Sequence, residues 1–157
     1  MSTAHSQAPD HPVIDDTLRC LHDEILALAD SRGVDVFVFA NEGRLLDASP
    51  AYSGQPVEQI AAVCATVVTG SHRCARLGRP DETDAASRIV LRYRTASVVL
   101  LPITGEIWAG CVSDTAHVTR AAHGLALFTE KAAPLVPETV GWTLPAMRVP
   151  VPGGEGR

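Results

Sequence analysis

The stretch RIVLRYRTASVVLLPITGEIWAGCV, residues 88–112, decides the fold. It contains three runs rich in β-branched and aromatic residues, 88–94, 97–101 and 107–112, separated by Thr95-Ala96 and by the turn Thr104-Gly105-Glu106. Connections this short join only antiparallel neighbours, because parallel strands need a crossover of about a dozen residues or more. The first run alternates, with Ile89, Leu91 and Tyr93 on one side and Arg88, Arg92 and Arg94 on the other. One wet face of this kind marks an edge strand. The other two runs are apolar on both sides, which places them inside a sheet that is covered on both faces. Pro102 has no amide hydrogen to give a ladder, so it ends its strand or sits at a bulge.

Working upstream, Val34 to Ala40 is apolar on both sides except at Asp35 and predicts another central strand. Asn41-Glu42-Gly43 is a turn, and residues 44–49 return as a more polar strand, completing a hairpin. A helix is predicted from Asp15 to Ser31, where Leu18, Leu21, Ile25 and Leu28 share a face, Asp15 or Asp16 can cap the start, and Gly33 ends it. Pro56 opens a second helix whose stripe is Val57, Ile60, Ala61, Cys64, Val67 and Val68, interspersed with small residues that permit close approach. Gly70 weakens this helix, which is read as continuing through the basic stretch to Arg76, with a polar loop over 78–87. Downstream, Ser113-Asp114-Thr115 offers caps for a third helix with Val118, Ala121, Ala122, Leu125, Phe128 and Ala132 on one face, stopped by Pro134. The order is αββαβββα. Three interior strands and three helices give an α+β sandwich, a five-stranded antiparallel sheet with helices on both faces. The 157 residues then divide into a flexible N-terminus over 1–14, one domain over 15–133, and a Pro/Gly-rich disordered tail over 134–157 in which Trp142 is an incidental exposed residue.

The chain carries 13 basic and 18 acidic residues, for a net charge of −5. An acidic chain without a long basic run is a poor nucleic-acid binder, since that affinity comes from neutralising phosphates. No apolar run approaches the roughly 18 residues of a membrane span, and the N-terminus lacks the order of a secretory signal, so a cytoplasmic protein without membrane insertion is expected. Cys20, Cys64, Cys74 and Cys111 form no paired ligand spacing and read as reduced thiols behaving as small hydrophobes, with no metal and no cofactor. There is no GxSxG, P-loop, GxGxxG or HExxH motif. Asp47 with Ser49, or His117 with Ser113 and Asp114, could be pieces of a triad, but a helix cap explains Ser113 and Asp114 better, and no catalytic residue is assigned. Asp35 is read as a solvated acid near a strand start. The informative charges are arginines: Arg73, Arg76, Arg79, Arg88, Arg92 and Arg94 are half of the twelve in the chain. They either solvate an edge or form a docking surface for an acidic partner, for which Arg73, Arg76, Arg92 and Arg94 are the candidates.

Several local words in order resemble the roadblock/dynein light chain domain, of the bacterial type associated with small Ras-like GTPases. They are Gly33 to Ala40 followed by Asn41-Glu42-Gly43 and Arg44 to Ser49, then Glu58-Gln59-Ile60-Ala61-Ala62-Val63, then Gly105 to Gly110 leading into Val112-Ser113-Asp114. The resemblance spans about Leu18 to Ala133. It implies the sheet order 2-1-5-4-3, with the middle helix on one face and the other two helices on the other face. It also implies a homodimer through the third strand and middle helix, for which Ile60, Cys64, Val67, Val68, Ile89, Leu91 and Tyr93 are the candidate contacts. The implied function is that of a non-catalytic scaffold or regulator that binds a small Ras-like GTPase and modulates its cycle. A sensor-kinase-like protein is a further implied partner, any membrane association would be peripheral and through partners, and the Arg-rich, Lys-poor composition fits an actinobacterial source. The alternative is a PAS- or profilin-like small-molecule sensor, whose pocket would be lined from Phe37, Phe39, Trp108 and Phe128.

Overall fold

The computed structural model describes residues 12–78 and 87–136. Helix α1 spans Pro12–Arg32, strand β1 Phe37–Ala40, β2 Leu45–Ala48, helix α2 Val57–Gly78, β3 Ile89–Arg92, β4 Ala96–Pro102, β5 Ile107–Asp114 and helix α3 Val118–Ala132. The strands form one antiparallel sheet in the order β2-β1-β5-β4-β3. This is the expected αββαβββα architecture. The expected tail and most of the expected flexible N-terminus, residues 137–157 and 1–11, lie outside the described residues.

Strand alternation sorts the core into two layers. Val36 just before β1, Val38 of β1, Val99 and Leu101 of β4, and Ile107, Ala109 and Cys111 of β5 pack under α1 and α3. Phe37, Phe39, Leu100 and Trp108 point the other way and meet Ala61, Cys64, Ala65 and Val68 of α2. Both clusters are almost water-free, as expected where the removal of apolar area from water, at about 25 cal/mol per Å², supplies the main folding drive. Gly110 of β5 is required by this packing. A Cβ there would lie 2.4 Å from Phe37 Cζ and 2.9 Å from Leu100 Cδ2.

Two polar side chains stitch the layers together. Ser49 is 2% exposed, its Oγ accepts a 2.8 Å hydrogen bond from the Val36 amide, and its own amide donates to the Val36 carbonyl. This pair stands in for a ladder where β1, expected to begin at Val34, begins only at Phe37. Tyr52 lies on the α2 side, edge-on to Phe37, where its hydroxyl donates to the Asp35 carbonyl and accepts from the Val112 amide. Burial pushes the Tyr52 phenol up to about 12, so it stays protonated and keeps both bonds at any ordinary pH.

Other boundaries have local causes. Gly70 does not interrupt α2, because it is exposed with nothing within 4 Å and costs the helix only about 1 kcal/mol. Pro102 ends β4, opposite Trp108. The Asp114 side chain accepts from the His117 amide and caps a short 3-10 turn at Thr115–His117, so α3 proper starts at Val118. After α3, a turn at Ala133–Leu135 carries Val136 into the core beneath α1 and α3, beyond the expected end at Ala133.

Candidate functional site

Helix α2 packs chiefly on β1 and β2 and also covers Leu100 of β4 and Trp108 of β5, so the open half of its sheet face is the far end of β3, β4 and β5. Register brings Leu91, Val98 and Val112 into one row across β3, β4 and β5 on that open half. Val112 is 43% exposed, and Tyr93, which follows β3, is 61% exposed. Along α2, Val63, Val67, Gly70, Cys74 and Leu77 recur at spacings of four, three, four and three, which is one helical line. The flank of α2 that meets the β1–β2 hairpin turn is instead formed by Ala62, Ala65, Thr66, Thr69 and Gly70, so Val63, Val67, Cys74 and Leu77 lie off it. Val63 is 62% and Leu77 87% exposed. The outer edge of β3 bonds no other strand among the described residues. An open strand edge beside an uncovered apolar flank is the arrangement by which a sheet recruits another chain.

Of the candidate contacts, Ile60, Val67, Ile89, Leu91 and Tyr93 lie on this surface or at its margin. Cys64 and Val68 do not: they are 3% and 0% exposed and fill the core between α2 and the sheet. Helix α2 has apolar residues on two flanks, and periodicity alone assigned the sheet-facing one to the interface. Val63, Leu77 and Val112 are exposed here and were not among the candidate contacts, although the spacing of Val63, Val67, Cys74 and Leu77 was present in the sequence.

The arginines separate. Arg73 borders a cavity of about 480 Å³ between α2 and the hairpin turn, with Asn41 and Glu42 on its other side, and Arg76 lies exposed in the last turn of α2. Arg88 and Arg92 point to the opposite face of the sheet, into a groove of about 340 Å³ against α3. Arg94 is exposed in the β3–β4 turn. These five arginines therefore make no single patch, and Arg79 lies outside the described residues.

The triad fragments are engaged elsewhere. Asp47 Oδ2 lies 2.9 Å from His22 Nδ1 of α1, whereas Ser49 is turned inward to the Val36 backbone. His117 Nδ1 meets Asp114 Oδ1 at 2.7 Å, and that hydrogen bond holds the exposed Asp114 carboxyl below its usual range. The four aromatics considered for a sensor pocket, Phe37, Phe39, Trp108 and Phe128, are each at most 2% exposed. His72 of α2 holds its ring centroid 6.2 Å from that of Trp108, and neither His72 Nε2 nor Trp108 Nε1 has a hydrogen-bond partner among the described residues.

The thiols divide by environment. Burial pushes Cys64 and Cys111 up to about 11, while Cys20 and Cys74 are exposed. Since only the thiolate reacts, a disulfide reagent at about pH 8 should consume Cys20 rapidly, Cys74 at a rate set by the cover of the α2 flank, and Cys64 and Cys111 only after denaturation. Four equally fast thiols would contradict the packing of α2 on the sheet.

No helix among the described residues is long and apolar enough to cross a membrane. This architecture is that of the roadblock/LC7 domains. A Roadblock/LC7 domain from Streptomyces avermitilis superposes with a TM-score of 0.58 at 10% identity, over 71% of this chain and 92% of that one. MglB from Myxococcus xanthus gives 0.59 at 15% identity, over 73% of this chain and 89% of that one. The gliding protein MglB from Thermus thermophilus gives 0.67 at 11% identity, over 88% of this chain and all of that one. No protein-family model and no curated protein matches the sequence.

Proposed function

We propose that this protein is a roadblock-type regulator that dimerises through β3 and the open flank of α2 and, as a dimer, binds a small Ras-like GTPase. The observation that carries the reading is the row Leu91, Val98 and Val112 beside the unpaired edge of β3, flanked by Val63, Val67 and Tyr93. Pairing two β3 edges antiparallel would give a continuous ten-stranded sheet and bring the two α2 flanks together over the seam. Cys64 and Val68 support the interface from below. A protein of this kind acts by holding or reshaping the nucleotide site of its partner, and the described residues supply no catalytic constellation of their own. A sensor-kinase-like protein is a further candidate partner on the same reasoning from the fold.

Arg73, at the rim of the cavity between α2 and the hairpin turn, and Arg76, in the last turn of α2, are both exposed, where a GTPase seated across the two helices would meet them. Binding to a nucleotide-loaded small GTPase of the same organism, measured by calorimetry, should fall about tenfold or more on Arg73→Glu with Arg76→Glu, because charge reversal converts two attractions into repulsions. Unchanged affinity would remove these arginines from the interface, and no binding to any such GTPase would overturn the reading.

A further inference from the structure

Beyond the proposed dimer seam, the opposite face of the sheet carries a second surface. Between β3 and α3 runs a groove floored by Val90, Val99 and Val118 and flanked by Arg88, Arg92 and His123. Arg88 and Arg92 have no carboxylate partner among the described residues. Strand geometry places the two arginines about 13 Å apart.

The complement to this groove is on the chain itself. Opposite the buried Leu21, Ile25 and Leu28, the outer ridge of α1 shows Asp16, Asp23 and Asp30 at intervals of seven residues, with Cys20 and Ala27 between them. All five are exposed, and the three aspartates have no cationic partner among the described residues. Seven residues of helix rise about 10.5 Å, close enough to the arginine spacing for the long Arg side chains to reach successive aspartates. Small side chains between the acids let the ridge settle on the apolar floor.

We propose that the groove between β3 and α3 receives the acidic ridge of α1 from another copy of this chain. Donor and acceptor surfaces differ, so the contact is head-to-tail and each copy can give one and take one. It joins dimers into larger assemblies and leaves the α2 face free. Being charge-based with partly exposed groups, it strengthens at low ionic strength.

Sedimentation velocity on the full chain tests this. At about 0.02 M salt the wild type should form species larger than a dimer, which revert to dimer at about 0.5 M salt as screening shortens to a few ångströms. Arg88→Glu with Arg92→Glu, and separately Asp23→Arg with Asp30→Arg, should each abolish the larger species, and an equimolar mixture of the two variants should restore intermolecular contact. Arg88→Gln with Arg92→Gln gives the same loss by a milder change if the reversal fails to fold. Leu91→Glu separates the two surfaces: it removes the dimer and leaves the salt-sensitive step. Wild type that never exceeds a dimer at low salt, as when another acidic protein is the occupant, overturns the proposal. So does a larger species that survives both charge reversals, or a mixture that fails to restore contact.

Discussion

Gly110→Ala should destabilise the protein by about 3 kcal/mol, at the upper end of overpacking in a filled core. The new methyl would lie 2.4 Å and 2.7 Å from Cζ and Cε2 of Phe37, and 2.9 Å from Leu100 Cδ2. Phe37 has nowhere to go: its ring is stacked against Phe39 and edge-on to Tyr52, both with centroids 5.8 Å away. Leu100 is fully buried on the facing strand. Relief must come from moving β5 against α2, which would also strain the Tyr52 bond to the Val112 amide. In urea unfolding the midpoint should drop sharply with little change in slope. Gly70→Ala is the internal control, since Gly70 has nothing within 4 Å and sits inside α2, so helix propensity should stabilise by up to about 1 kcal/mol. A loss at Gly110 below about 1 kcal/mol would show that the sheet and α2 are more loosely joined than described.

Leu91→Glu should weaken self-association by at least about a hundredfold while leaving the fold intact. In the single chain Leu91 is half-buried on the open half of the sheet, so a glutamate there can reach water. Across a two-fold seam, each copy would lose the transfer energy of one leucine, about 1.5 to 3 kcal/mol. The two copies would also bring like charges into an apolar contact, which costs more. The symmetric doubling makes the effect large. A dilution series followed by fluorescence anisotropy would show the shift, and an unchanged dissociation constant with an unchanged melting temperature would exclude β3 from the seam.

Much of the architecture was readable because the constraints were local. Two short connections in residues 88–112 left only antiparallel pairing, and the unbroken apolarity of residues 36–40 demanded cover on both faces. The opposed destinations of Val36 and Val38 on one side and Phe37 and Phe39 on the other follow from that. Helix α2 runs through Gly70 into the basic stretch as expected, because an exposed glycine costs a helix only about 1 kcal/mol. The start of β1 was misplaced because Ser49 satisfies the Val36 backbone with a side chain, a bond between residues 13 apart that no window of periodicity contains.

The site was less legible than the fold. A helix apolar on two flanks does not announce which one meets its own sheet, so Cys64 and Val68 were read as outward when they are core. Strand alternation did contain the separation of the arginines, since Leu91 and Arg92 must point to opposite faces. Grouping the basic residues by proximity in sequence concealed it.

The central claim is that the open flank of α2 and the free edge of β3 are an interface between two copies. Light scattering on the wild-type chain at micromolar concentration and about 0.15 M salt, where weak surface charge contacts are screened, tests it most directly. The expected mass is twice that of the 16.6 kDa chain. A mass of one chain under those conditions would contradict it.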